Sequence, residues 1–393
     1  MNGLVRVASR IFTSFLEWVH LFDLHRMPDV LFEFLAARFC PNEEWPQSTI
    51  IIPVSTPRVF IVAKNSGWEY EGLVASWDGV ADYTYCDELN SYDPYSVDWT
   101  VERKKMVNEQ IIEQLSIFSE NRKCDFFFSY LSGRWLMSGT IAKIRRHVRA
   151  AVNISFDDTP SFWGDKTADG RWSGNAQICR EYDLNVTCQN PKDVLKYHLV
   201  GARALFLPPG GNENVYYAVE EGERRREGIV FVGQKYGKRV PVIERLLKQK
   251  IPIKAYGKGW PGGPLQIQKL RKELSSTLIA IGFGYIGNGP KTGLKARDFE
   301  IPLTGCCYVT SFHPVLAQCF KDGKEIVFYQ NPVELGPILA DLLSNPARAT
   351  EIGENGRQRA LREHTWRSRW SLLLSVVERH FSGKLRDDHI SRI

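Results

Sequence analysis

The sequence predicts an α/β protein of two tandem Rossmann-like, doubly wound domains behind an N-terminal helical extension. Runs of β-branched and aromatic residues alternate with helical patterns along most of the chain, the signature of parallel sheets covered on both faces. Pro208-Pro209-Gly210-Gly211-Asn212 interrupts that alternation with residues that stop both helix and strand. With 393 residues, the chain has the length for two cores of roughly 150–200 residues each.

The elements follow in order. Ile11, Phe15, Trp18, Val19 and Phe22 recur at helical spacing, as do Leu31, Phe34 and Leu35, until Pro41 and Pro46 end the pattern. Residues 1–47 are therefore a helical extension whose apolar face suits its own domain, a second copy or a membrane surface. The first domain, 48–208, opens with the apolar run 59–63, a strand, then a turn through Gly67 and a short helix near 71–77. It continues with strand 81–86, helix 101–120, strand 124–130, helix 138–149 and strand 150–156, which ends at Asp157-Asp158. Strand 184–187, helix 191–199 and strand 203–207 complete it.

The second domain, 209–365, repeats the alternation: strand 229–232, helix 240–249, strand 252–256, helix 265–275 and strand 277–282. A glycine-rich loop over 282–293, a helix carrying Glu300, and strands 307–310 and 325–328 follow. The tail is helical over 332–344, 346–362 and 366–381, and the segment 366–393 is expected to cross back to the first domain. Tandem sheets of this kind place a ligand cleft at the carboxyl ends of their strands.

Composition narrows the function classes. The net charge of +6 is modest, its short clusters at Arg224-Arg225-Arg226 and Arg145-Arg146 read as solvated faces, and no long basic stripe calls for nucleic acid. The eight cysteines show no C-x-x-C pair and no histidine spacing of a zinc site, which points to free thiols in a reducing compartment. Ile11–Leu24 is broken by Glu17, His20 and Asp23, so it does not read as a signal peptide, and no run reaches the length of a membrane span. A cytoplasmic protein is expected, with residues 1–47 as the segment suited to a membrane periphery or to self-association.

The most informative stretch is Arg297-Asp298-Phe299-Glu300-Ile301-Pro302-Leu303-Thr304-Gly305. A carboxylate can accept both hydroxyls of a ribose, and a guanidinium fork matches phosphate oxygens, so the pair suits a nucleotide diphosphate; a buried structural Arg–Glu pair reads the same way. Pro302 would clash with the carbonyl of residue 298 inside a helix, so this helix should start late or kink. Phe231-Val232-Gly233 followed by Tyr236-Gly237-Lys238-Arg239 is a strand, a glycine turn and a basic helix start, either a plain structural turn or a phosphate site served by Arg239. Tyr256-Gly257-Lys258-Gly259-Trp260 repeats the arrangement, with an aromatic that could stack on a base or simply pack. The four glycines of 282–289 allow close backbone approach, but the loop does not open a first βα unit and is not a dinucleotide fingerprint.

Taken in order, these motifs, with Gly323-Lys324-Glu325-Ile326-Val327, His364-Thr365-Trp366 and Arg369, resemble the spore-maturation-protein-B-like (CgeB-like) glycosyltransferases. Phe156-Asp157-Asp158-Thr159-Pro160-Ser161-Phe162 in the first half looks like the same family, and the likeness spans roughly 57–375. The resemblance implies the two-domain GT-B fold and transfer of a sugar from a nucleotide diphosphate-sugar co-substrate, without a metal or other cofactor, to a hydroxyl of a glycan or another acceptor. By that likeness Glu300 binds the donor ribose and Arg239 and Arg297 face the diphosphate, with Gly233, Tyr256 and Gly257 beside them. Broader retaining GT-B enzymes carry a second glutamate eight positions before the ribose-binding one; Thr292 stands there in this chain.

Asp157 and Asp158 end a strand, where loops face the cleft. One carboxylate could take the proton of an acceptor hydroxyl, or one could cap the following turn; as base, Asp158 is the choice, because it lies further beyond the strand end. His20 and His25 fall in the extension and His147 and His198 on helices; His313, at a strand end after Thr310-Ser311, is the histidine that could approach the donor. No cluster has the spacing of a metal site. A non-catalytic protein that binds sugar nucleotides or glycans, and a DNA-modifying glycosyltransferase, are the rival readings.

Overall fold

The structure, a computed structural model, describes residues 56–390 apart from 168–169, 220–226 and 288–290, with side chains described to residue 378. The expected helical extension over 1–47 lies outside the described residues. The chain forms two compact units, the first made of the chain up to Tyr70, Trp77–Leu207 and the segment from Trp370, the second of Glu71–Ser76 and Pro208–Arg369.

The first unit is built on a parallel sheet of β1 (Arg58–Ala63), β2 (Asp82–Cys86), β3 (Cys124–Tyr130), β4 (Val148–Ser155), β5 (Leu184–Thr187) and β6 (Ala204–Phe206) in the order β2-β1-β3-β4-β5-β6. Phe60 of β1 pairs with Phe127 of β3, which pairs with Ala151 of β4. The apolar β1 run is buried from Val59 to Ala63, as a strand covered on both faces requires. Helix α1 (Val101–Ser119) starts where the Thr100 side chain accepts the Arg103 N–H, and it lays Val107, Ile111 and Leu115 on the core. The shorter helices are α2 (Thr140–Ile144), α3 (Asp158–Ser161) and α4 (Val194–Leu199). The strand order reverses between β1 and β3, so the crevice of this sheet opens at their carboxyl ends.

The second sheet comprises β7 (Glu227–Val232), β8 (Ile253–Tyr256), β9 (Thr277–Ile281), β10 (Cys307–Ser311) and β11 (Val327–Tyr329), all parallel, in the order β11-β10-β9-β7-β8. Its switch point lies between β7 and β9. The helices are α5 (Arg239–Lys248), α6 (Ile267–Ser276), α7 (Arg297–Leu303), α8 (Pro314–Cys319), α9 (Leu335–Ser344), α10 (Pro346–Glu363) and α11 (Trp366–Ile390). These are two doubly wound Rossmann-like units, as the alternation predicts.

Several boundaries differ from the sequence reading. The helix expected over 138–149 stops at Ile144, because Val148 already pairs with Cys124 in the sheet. The helix near 71–77 is a π turn over Tyr70–Val74 followed by a 3₁₀ turn over Ala75–Trp77. The last strand starts at Val327, since the Gly323 N–H to Ile326 carbonyl bond of 2.8 Å closes a turn before it. Helix α7 starts at Arg297 and not late; it is only seven residues long, so Pro302 falls in its last turn.

The Pro-Gly-Gly break is a packed element. The Gly211 N–H donates to the His364 carbonyl (3.1 Å) and the Trp366 N–H to the Gly211 carbonyl (2.9 Å). A Cβ on Gly210 would lie 2.6 Å from the Trp366 nitrogen, so the close approach itself demands glycine. His364 and Arg369 serve the same junction. The His364 Nε2 meets the Cys319 carbonyl at 2.9 Å, its Nδ1 meets Arg369 at 3.1 Å, and Arg369 Nε donates to the Pro208 carbonyl at 3.0 Å.

Helix α11 begins in the second unit and continues in the first, where Trp370 stacks on Trp77 at 4.6 Å and meets Phe128 edge-on at 5.1 Å. All three rings are buried. Trp370→Ala is expected to cost the first unit about 3–5 kcal/mol, read as a shift of its denaturant midpoint; a loss under about 1 kcal/mol would show that the stack does not hold this helix.

Candidate active site

In the second unit, candidate ligand groups gather where β7, β8, β9 and β10 end. Gly233 follows β7 and its N–H donates to the Tyr256 carbonyl at the end of β8 (2.8 Å). Gly257 takes φ +130°, and a Cβ there would lie 2.6 Å from the Gly233 carbonyl carbon, so the two loops touch backbone to backbone. A Cβ on Gly233 would sit 3.2 Å from Arg239 Nη1, which places the guanidinium directly over the bare Gly233 backbone. Arg239 is buried at the start of α5, held by the Tyr236 hydroxyl (3.2 Å) and stacked on the Tyr236 ring at 4.2 Å. Of the two readings of this aromatic turn, stacking on a base or packing, the Tyr256 side chain has packing contacts. Its ring covers Gly262 and its hydroxyl meets the Glu273 carboxylate, so only its backbone faces Gly233.

The segment around Glu300 is more deeply buried than its polar sequence implies. Asp298 accepts the Lys295 N–H (2.7 Å) and the Tyr308 hydroxyl (2.7 Å), which ties α7 to β10; burial lifts its carboxyl to about 6 against those bonds. Glu300 is 3% exposed, and burial lifts its carboxyl to about 7 while Arg297 and the Tyr216 hydroxyl oppose the rise. Arg297, by contrast, leaves Nη1 buried without a hydrogen-bond partner among the described residues. His313 is also buried with Nδ1 unpartnered, and burial lowers its pKa to about 4. At neutral pH it is an uncharged imidazole that can donate or accept one hydrogen bond, not a surface cation. Thr292, eight positions before Glu300, bridges to Tyr285 within the glycine-rich loop.

The first unit holds a cavity of about 650 Å³ at the carboxyl ends of β1, β3 and β4, and Asp157 lines it. Asp157 is exposed and accepts the Tyr130 hydroxyl at 3.1 Å. Burial and the carboxylates of Asp157 and Glu69 push Tyr130 well above its ordinary pKa, so the phenol stays protonated as a donor. Asp158 has the opposite fate. It is 1% exposed, accepts Asn175 Nδ2 and the Tyr197 hydroxyl (both 2.8 Å), and its backbone carbonyl accepts Lys196 Nζ (2.7 Å). Burial and the nearby Asp193 lift its carboxyl to about 6.

This corrects the choice of Asp158 as base. The residue further along the chain is the first of α3 and turns into the protein, where its oxygens are occupied; Asp157 keeps the open face. Residues not singled out from sequence complete the picture. Tyr216 faces Glu300, while Lys64, Glu69, Tyr130 and Arg134 wall the cavity. Lys64 directly follows β1 and Tyr130 ends β3, positions that mark them once the strands are drawn; Glu69 and Tyr216 carry no such signal.

The pair should separate by substitution. Asp158→Asn sets an amide against two hydrogen-bond donors and is expected to cost about 1–3 kcal/mol of stability. Asp157→Asn should stay within about 0.5 kcal/mol of the parent. Denaturant midpoints measured side by side check this, and equal losses would remove the distinction.

Residues 238–375 match the family described as glycosyl transferase-like. No curated protein matches the chain. Among solved structures, a sucrose-phosphate synthase from Thermosynechococcus elongatus is similar with a TM-score of 0.56 at 11% identity, covering 84% of this chain and 100% of that one. Anabaena HepE in complex with UDP and glucose is similar with a TM-score of 0.52 at 10% identity, over 82% and 100% of the two chains. HepE in complex with UDP-glucose has a TM-score of 0.51 at 10% identity, over 81% and 99%. Two parallel sheets with switch points at β1/β3 and β7/β9, and these neighbours, give the chain the GT-B fold of tandem Rossmann-like domains.

Proposed function

We propose that the protein is a glycosyltransferase that takes a sugar from a nucleotide diphosphate-sugar on the second unit and passes it to an acceptor hydroxyl. Arg297 carries the proposal. Its Nη1 is buried without a hydrogen-bond partner among the described residues, one helical turn from Glu300, inside the span that matches the glycosyl transferase-like family. A buried guanidinium nitrogen with no acceptor is costly, and a phosphate oxygen is the acceptor that suits it best.

In this reading Glu300 accepts the ribose hydroxyls, with Tyr216 fixing its carboxylate. Arg239 over Gly233 and Arg297 near Glu300 face the diphosphate, Gly257 leaves room for the donor, and neutral His313 hydrogen-bonds the donor. The acceptor oxygen attacks the anomeric carbon and its proton passes to Asp157. The bond to the diphosphate breaks with its electron pair, and the charge growing on the leaving group meets the two guanidinium groups instead of a metal ion. HepE complexes with UDP and UDP-glucose make uridine donors the first to test. The ordered motifs from Phe231 to Arg369 support the narrower CgeB-like membership.

UDP release with a panel of UDP-sugars tests the activity, and absence of turnover together with absence of UDP binding would sink it. Glu300→Gln should weaken donor binding by about 1.5–3 kcal/mol while the circular dichroism spectrum stays that of the parent. Arg239→Ala and Arg297→Ala should weaken UDP more than uridine; equal losses would make both arginines structural.

Excess chelator should leave turnover within about a factor of two, whereas loss of a general base costs roughly 10²–10⁴-fold. A rate abolished by chelator would place a metal on the diphosphate.

A further inference from the structure

The cavity of the first unit has a charge and surface that select among acceptors. Lys64, Glu69, Asp93 and Asp157 line it, three carboxylates against one ammonium. The Lys64 ammonium is already engaged by the carbonyls of Leu89 (3.1 Å) and Asn90 (2.9 Å). The other cation in the lining, Arg134, is paired with Asp165 at 3.2 Å, so the two cancel at the rim. Glu69 is 7% exposed, and its Oε2 accepts the Ser66 and Trp68 N–H groups (2.8 and 3.2 Å), which hold an anion in the wall. An anionic ligand would enter a site whose net charge is negative.

The apolar side of the lining is aromatic. Tyr95 is 77% exposed, follows Pro94, and has the Arg134 guanidinium 4.4 Å from its ring centroid as backing. Tyr92 and Trp135 also line the space. An open ring stiffened from behind, beside fixed hydrogen-bonding groups, fits the C–H face and hydroxyl edge of a sugar ring. The wall is rigid where it meets the polar groups. A Cβ on Gly133 would lie 2.7 Å from the Trp172 carbonyl oxygen, and Asn175 is fixed between Asn153 and Asp158.

We propose that this cavity is the acceptor site, that it takes an uncharged saccharide stacked on Tyr95, and that it rejects the same saccharide carrying a phosphate or carboxylate. The proposal rests on the glycosyltransferase reading only for the word acceptor; the binding itself is independent of donor. Asp157, held by Tyr130, is the lining carboxylate that the proposed mechanism uses.

The test uses the full chain without donor. Tryptophan fluorescence and thermal-shift titrations compare glucose, maltose, cellobiose and chitobiose with glucose 6-phosphate and glucuronate. At least one neutral sugar should saturate, the anionic sugars should bind more than about tenfold more weakly, and Tyr95→Ala should weaken the neutral sugar about tenfold. Saturation by none of the neutral sugars, binding of an anionic sugar as tight as its neutral counterpart or tighter, or unchanged binding by Tyr95→Ala overturns the proposal. UDP binding is read in parallel. Its absence would count against the donor site alone, because the saccharide titration contains no nucleotide.

Discussion

Both units are organised by carboxylates taken out of water beside the ends of parallel strands. Asp158 opens α3, and Asp298 and Glu300 sit in the first turn of α7, all of them buried. Burial lifts each carboxyl to about 6 or 7, because the surroundings disfavour the charged form. A buried acid survives only where donors reach it, so each one dictates its neighbours. Asp158 draws Asn175 and Tyr197 onto one loop, and Asp298 draws Tyr308 of β10 onto α7. Loops that could wander are thereby tied to the sheets, and the candidate site residues beside them inherit fixed positions.

The consequence differs between the units. In the second, backbone contact between the loops of Gly233 and Gly257, the buried Arg239 and the buried Nη1 of half-buried Arg297 produce a cationic setting with hydrogen-bonding capacity left over. In the first, carboxylates and aromatic rings line the cavity. The proposed diphosphate would suit the former and the proposed uncharged saccharide the latter. The same fold thus presents opposite electrostatics at its two switch points, which is what the proposed donor and acceptor roles call for.

Much of this was legible from residue order. Strand ends were visible because apolar runs such as Val59–Ala63 stop at turn residues, and strand ends are where parallel sheets carry ligands. Arg297 and Glu300, one turn apart, and Arg239 after a glycine turn were visible because local spacing on a helix start sets which side chains lie together. The roles of Asp157 and Asp158 were not, since neighbours in sequence differ in burial only through what packs on them. Asp158 is held by Asn175 and Tyr197, which lie in separate segments of the first unit. Tyr256 was likewise left open between stacking and packing, because the contacts of its ring with Gly262 and of its hydroxyl with Glu273 of α6 come from beyond its own turn.

The sequence by itself determined the fold class, the two-unit alternation and the residue types that the second unit's loops carry, because periodicity and turn chemistry act over a few residues. Only the tertiary structure decided which acid of the pair stays in water, that Tyr216 faces Glu300, that the Pro-Gly-Gly break packs against the start of α11, and that a cavity exists beside Asp157. Those are outcomes of desolvation and of contacts between segments far apart in the chain, and no local pattern encodes them.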